Sequence, residues 1–292
     1  MEEKLKDYIQ TINQNQILAS DVLKARPLSG GTASNVWLLS DSSQRQYVLK
    51  QNSQVNEEVT YLEVYKKSRY LPKVIFFDQR QQFYVYEYLP GIIQPFIADK
   101  QTMLLELATD LWSHAVLVPP SKWGWTISPT SSWTAFLLAE IADAKETNSS
   151  ILPTDSDGFV FQLAQKQKGP AQAYLLHGDC GIHNLLQIDQ QVVSVIDPEP
   201  LYGTRLFELV ATFCSSPEQL TENTLKPAVE LLIGTYDRQT VIEEVLIGLY
   251  LRIYRCYWHH PTDLSDYLIA WAAWFEKYQS SQKEKTFGMS HK

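Results

Sequence analysis

The sequence predicts an α+β chain in which an antiparallel sheet with one main helix precedes a larger, mostly helical region. Three observations carry that reading. The first ninety residues alternate apolar and polar side chains around turn-forming clusters, as strands do. From about residue 100 the apolar period lengthens to that of a helix, as in TMLLELATDLWSHAVL and WTAFLLAEIADAKE. Leu89, Pro90 and Gly91 mark the change. With 292 residues, 45% hydrophobic and 12% aromatic, the chain can bury the core of one large domain or of two closely packed lobes.

Residues 1 to 24 have helical spacing and predict one or two amphipathic helices. LSGGTASNVWLLSDSSQRQYVLKQ then reads as strand, turn, strand. QVNEEVTYLEVYKKS predicts a helix with Val59, Leu62 and Tyr65 on its buried side, and KVIFFD and QFYVYEYL predict two further strands around the turn DQRQQ. In the second part, residues 118 to 133 and 147 to 158 are rich in turn formers and read as loops. AYLL leads into HGDCGIHN, and LLQIDQQVVSVID reads as a hairpin turning at Asp189, Gln190 and Gln191. The last ninety residues predict aromatic helices and a frayed polar tail, SSQKEKTFGMSHK.

A formal charge of -8 and the absence of a Lys/Arg run argue against a nucleic-acid partner and suit a cationic small molecule. The N-terminus lacks the apolar region of a signal peptide, and no uninterrupted apolar stretch could span a bilayer, so neither secretion nor a membrane is expected. Cys180, Cys214 and Cys256 have no paired spacing and read as reduced thiols of a cytoplasmic protein.

The residues that carry chemistry come in a telling order. A Gly-Gly turn (Ser29 to Asn35) precedes a lysine on the next strand (Lys50), then acids on a helix (Glu57, Glu58), then HGDCGIHN with Asp179 five residues before Asn184, then Asp197 at a strand end. Each piece alone has an ordinary explanation: a hairpin, a solvated lysine, a wet helix face, a capping aspartate. Their order resembles the protein-kinase-like phosphotransferases, specifically the aminoglycoside phosphotransferase and choline kinase group, whose catalytic loop reads H-G-D-x4-N. The likeness runs from about Leu28 to Leu209.

That resemblance implies a bilobal fold, with residues 1 to 90 as the nucleotide-binding lobe, a connector at 86 to 91, and residues 91 to 292 as a helical lobe holding the catalytic loop and acceptor site. It implies ATP, with GTP left open, and Mg²⁺. Asp179 would take the acceptor's hydroxyl proton, and Asn184 and Asp197 would hold the metal. Lys50 would meet the phosphates, paired with Glu58 or Glu57. Gly30, Gly31, Thr32 and Ser34 would bring backbone N–H groups to the phosphates, and Glu87 and Leu89 would meet the adenine. His177 would brace the loop. Arg205 and Glu208 are ion-pair candidates, and Cys180 reads as packing.

The family phosphorylates varied hydroxyls, so the acceptor stays open among aminoglycoside-like, amino-sugar and amino-alcohol compounds, with choline, ethanolamine, homoserine or fructosamine as metabolic alternatives. Tyr254, Tyr257, Trp258, His259, His260, Asp263, Asp266 and Trp271 suit either a pocket for a cation or plain core. Two other classes remain: a metal-dependent hydrolase built on His177, Asp179, His183 and Asp197, and a kinase-like binding protein without catalysis.

Overall fold

The computed structural model describes residues 2–28, 34–119, 121–167 and 172–289. Helix α1 (Glu2–Gln14) leads into β1 (Val22–Pro27), β2 (Asn35–Asp41) and β3 (Gln46–Gln51). Helix α2 (Val55–Val64), β4 (Val74–Asp78) and β5 (Phe83–Glu87) complete an antiparallel sheet of order β1-β2-β3-β5-β4. The expectation of helix up to residue 24 fails at β1. The helix stops at Gln14, the chain turns through Gln16 with φ +50°, and Val22–Pro27 pairs with β2. As an edge strand buried chiefly through Val22, β1 shows too little alternation to betray itself in sequence.

The sheet buries two faces with different partners. Tyr47, Leu49, Phe83 and Val85 pack with Tyr8 and Ile12 of α1. Val48, Tyr84 and Tyr86 point the other way and join a core shared with Val55, Val59 and Leu62 of α2. Because side chains alternate along a strand, Lys50 falls on the face of Val48 and is carried under α2.

The helical region begins after the short β6 (Ile92–Ile93) with α3 (Lys100–Leu107), extended by a π turn. The segment expected to be loop from 118 to 133 contains strands instead: β7 (Leu117–Val118) and β8 (Gly124–Trp125) pair into a four-stranded sheet. Helices α4 (Trp133–Asn148) and α5 (Ser156–Lys166) precede the other members, β9 (Ala173–Leu176) and, later, β12 (Leu201–Gly203). Between these lie β10 (Leu185–Ile188) and β11 (Gln191–Val195), the expected hairpin. Its turn residues Asp189 and Gln190 both have positive φ, as a tight two-residue turn demands.

Helices α6 (Arg205–Phe213), α7 (Glu222–Ile233), α8 (Arg238–His259) and α9 (Leu264–Met289) finish the chain. The tail expected to fray is helical to Met289. In α8, Gly248 lets the helix approach α6 closely, since a Cβ there would lie 2.5 Å from Val210 Cγ1. Among the described residues no helix is long and apolar enough to cross a membrane.

Candidate active site

The site is built from two clusters joined by one asparagine. In the first, cross-strand pairing sets Lys50 of β3 opposite Tyr84 of β5, and both reach the same carboxylate on α2. Lys50 Nζ donates to Glu58 Oε2 at 2.8 Å, and the Tyr84 hydroxyl donates to the same oxygen at 2.8 Å. Between the two acids left open by sequence, the structure selects Glu58, which shares the buried face of α2 with Val55 and Leu62. Lys50 Nζ also lies 3.2 Å from Asp197 Oδ1. One cation between two carboxylates leaves the cluster net negative, which favours a further cation beside Asp197.

Asn52, which sequence reasoning missed, ties this cluster together. Its Nδ2 donates to Glu58 Oε1 at 2.6 Å and to Ser34 Oγ at 2.9 Å, while its Oδ1 accepts the Gln54 amide at 2.7 Å. An Asn three residues before a helix, accepting the amide two residues on, is a known turn former, and that was the available signal. Of the expected phosphate-loop residues only Ser34 is described; Gly30, Gly31 and Thr32 lie outside the described residues. Glu87 closes β5, exposed, with Leu89 half-buried just beyond.

The second cluster is the loop between β9 and β10. Gly178 crosses the 197–199 segment so closely that a Cβ would lie 1.8 Å from the Glu199 carbonyl oxygen, and its φ is +83°. Glu199 N donates to His177 O at 2.9 Å, and Ile196 N donates to Asn184 O at 2.9 Å. These two backbone bonds bring Asp197, itself at φ +56°, beside the loop. Asn184 Nδ2 donates to Asp179 O at 2.9 Å and Oδ2 at 2.8 Å. His183 Nε2 meets the same Oδ2 at 2.9 Å. Asp179 Oδ1 therefore has no hydrogen-bond partner among the described residues, and Asp179 lines a cavity with Trp125, Phe207, Arg252 and Arg255.

Burial would raise the Asp179 pKa, but the His183 hydrogen bond and the charges of His183, His177 and Arg255 hold it below the ordinary carboxylate range. It is ionised at neutral pH. Burial pushes His177 down to about 4, so its ring is neutral; its Nδ1 accepts the Asp179 amide at 3.3 Å and it packs edge-on with Tyr61. The four residues of the metal-hydrolase alternative are not assembled as ligands: among the described residues no group of three or more His, Cys, Asp or Glu side chains could hold a metal ion. Cys180 is buried and its thiol pushed well up by desolvation, so it is a packing residue and no nucleophile.

Arg205 and Glu208 do not pair. Arg205 lies over the Tyr174 ring at 4.8 Å, whereas buried Glu208 accepts the Gly178 amide at 3.1 Å through Oε2. Desolvation, helped by the Asp179 charge, pushes the Glu208 carboxyl up to about 8 against the pull of the Gly178 and His177 amides. Between its unfolded value near 4.5 and about 8, the folded state binds the extra proton, so stability falls as pH rises through that window. Glu208→Gln keeps an acceptor for Gly178 but cannot ionise. We expect its urea midpoint to match the native protein's at pH 5 and to exceed it at pH 8. Glu208→Ala should be about 1–3 kcal/mol less stable than Glu208→Gln at both, because it strands the Gly178 amide.

The donors suit a hard divalent cation. With Asn184 Nδ2 committed to Asp179, its amide oxygen is left for a metal, and Asp197 Oδ2 is clear of the Lys50 contact. The aromatic and acidic residues expected at the acceptor site, from Tyr254 to Trp271, do not line the cavity. Trp271 is buried core and Trp258 is 63% exposed. Gly248, Leu251, Arg252 and Arg255, on the other face of α8, line it instead.

No protein-family model and no curated protein matches this sequence. Solved structures do. A putative fructosamine-3-kinase from Haemophilus somnus 129PT superposes with a TM-score of 0.62 at 19% identity, covering 91% of this chain and 96% of that one. The chain has the protein-kinase-like fold. Aminoglycoside phosphotransferase APH(4)-Ia matches at TM-score 0.61 and 16% identity, over 94% of this chain and 98% of its own. The macrolide 2'-phosphotransferase MphH from Brachybacterium faecium matches at 0.57 and 12%, over 92% and 97%. Coverage is nearly complete on both sides, so this fold includes the C-terminal helices as well as the sheet.

Proposed function

We propose that the protein is a small-molecule kinase that moves the γ-phosphate of ATP to a hydroxyl. The observation that carries the proposal is the bridge through Asn184, which binds the Asp179 carboxylate by its side chain and the segment before Asp197 by its backbone. Residues 1 to 90 form the nucleotide-binding lobe and residues 91 to 292 the acceptor lobe. Lys50, held by Glu58, meets the phosphates, with Gly30, Gly31, Thr32 and Ser34 as the further phosphate-binding residues and Glu87 and Leu89 at the adenine. Asn184 and Asp197 hold Mg²⁺, which when bound neutralises charge on the phosphate oxygens.

Asp179 Oδ1 receives the acceptor's hydroxyl. A carboxylate held below its usual pKa is far too weak a base to strip an alcohol in the ground state. It orients the hydroxyl and takes the proton late, as a loose phosphoryl transition state requires. Trp125 shields Gly178 on the cavity side, with its Cζ3 3.1 Å from the Cβ position, and its Nε1 donates to Glu140 at 2.9 Å. A mutant of APH(4)-Ia holds AMP-PNP and hygromycin B together, which supports a nucleotide and a hydroxyl acceptor on this fold. Amino sugars, amino alcohols, choline, homoserine and fructosamines are the acceptor classes that the family resemblance suggests.

ADP release measured against a panel of those hydroxyl compounds, with and without Mg²⁺, tests the proposal. At least one compound should stimulate Mg²⁺-dependent release. Lys50→Met should raise the ATP Kd by about tenfold or more, the value of a hydrogen bond to a charged group. A native protein that fails to bind ATP in calorimetry overturns the reading.

A further inference from the structure

The cavity in front of Asp179 has a charge that the sequence did not suggest. Its charged lining groups are Asp179, Arg252 and Arg255, with His183 hydrogen-bonded to Asp179 beside them. The two arginines are three residues apart on α8, so they share a face. Arg252 has no carboxylate within ion-pair distance among the described residues. Its Nε donates to the Tyr267 hydroxyl at 3.0 Å, and that buried hydroxyl donates in turn to Cys214 O at 2.9 Å. A guanidinium fixed through Nε keeps its two terminal NH₂ groups, the pair that grips a carboxylate or phosphate side by side.

Arg255 has one weak partner, Glu140 Oε2 at 3.7 Å, and Glu140 is also occupied by Trp125 Nε1. Glu199 lies close enough to Asp179 and Arg255 to feel both charges, but it does not line the cavity. With Asp179 reserved for a hydroxyl, the wall facing it is cationic. Ammonium-rich acceptors would meet two arginines there, whereas an anionic acceptor would supply the partner that Arg252 lacks among the described residues and add to the weak pairing of Arg255.

We infer that the acceptor carries a carboxylate or phosphate group beside its reactive hydroxyl, with Arg252 as the principal anchor of that group and Arg255 as the second. The inference rests on the phosphotransfer reading only in taking Asp179 as the group that faces the hydroxyl. The anchor sets which hydroxyl compounds enter, and it takes no part in the transfer step.

Four hexose probes differing in charge provide the test: glucuronate, glucose 6-phosphate, glucose and glucosamine. Calorimetric binding is measured with ADP and Mg²⁺ present, and ADP release is measured from ATP. At least one anionic hexose should bind about tenfold or more tightly than glucose and glucosamine, and the two anionic arms tell carboxylate from phosphate. Arg252→Gln should remove that preference while ADP still binds. Arg255→Gln, at a more exposed position, should weaken it in the same direction and serves if Arg252→Gln does not fold. Glucosamine binding at least as well as the anionic probes, no hexose binding at all, or a preference untouched by both variants would each overturn the inference. Anion binding through Arg252 without ADP release from any acceptor would sink the kinase reading and leave the anchor standing. Release with cationic acceptors alone would do the reverse.

Discussion

Asp179→Asn is expected to lower kcat by about 10²- to 10⁴-fold, the span of a lost proton acceptor, while the ATP Kd stays within about twofold. The separation follows from geometry. Asp179 touches His183 and Asn184, whereas Lys50 contacts Glu58 and Asp197, so the substitution leaves the ion cluster intact. An asparagine oxygen can still accept from Asn184, which keeps the loop in place and makes loss of turnover a chemical result. His183→Ala sharpens the test. The His183 hydrogen bond is the largest influence opposing burial at Asp179, so its removal should raise the Asp179 pKa. The group works as a carboxylate, active above its pKa and lost as pH falls through it. The acid limb of kcat/KM should therefore move to higher pH in His183→Ala. Full turnover in Asp179→Asn, or an unmoved acid limb, would remove Asp179 from the role.

Much of this site was legible because its residues are bound to the backbone's own logic. Asp179 and Asn184 belong to one loop whose spacing lets an amide nitrogen return to the carboxylate, so a five-residue separation in sequence is already a contact in space. Lys50 was legible as the lysine that ends the strand YVLK, and its partner as one of the two acids, Glu57 and Glu58, on the helix that follows. Glu57 and Glu58 are adjacent in sequence yet point differently, and only the buried face of α2 distinguishes them.

What stayed hidden depends on long-range packing. Trp125 sits in a segment whose prolines, serines and glycine read as loop, yet Gly124–Trp125 pairs with β12 and brings the indole over Gly178. On α8 the eye falls on Tyr257, Trp258 and the histidines, but a helix offers several faces and periodicity does not say which one meets a cavity. The arginines at 252 and 255 do, through the approach that Gly248 allows to α6. Glu208 shows the same limit: its charge suggested a partner in Arg205, and burial instead made it an acceptor for a loop amide.

Gly178→Ala should be the most damaging single change in the molecule, although it adds one methyl group. The residue sits at φ +83°, where an L side chain costs roughly 1–2 kcal/mol before any contact is considered. Its Cβ would then lie 1.8 Å from the Glu199 oxygen and 2.9 Å from the carbonyl carbon. Those are backbone atoms, and the same segment is fixed by the Glu199 N–H on His177 O, so no rotamer change relieves the overlap. The loop or the 197–199 segment has to move, and either movement separates Asp179 from Asp197. We expect a loss of about 4 kcal/mol or more in urea unfolding, with little activity remaining in whatever folds. Gly158→Ala is the control: it lies inside α5, and a Cβ there meets nothing within 4 Å. It should leave activity alone and stabilise by about 0.5–1 kcal/mol, as alanine does for glycine in an exposed helix. Equal effects at the two positions would mean that the close crossing at Gly178 does not hold the two clusters together. A large loss at Gly178 alone would place the connection between fold and chemistry at that contact.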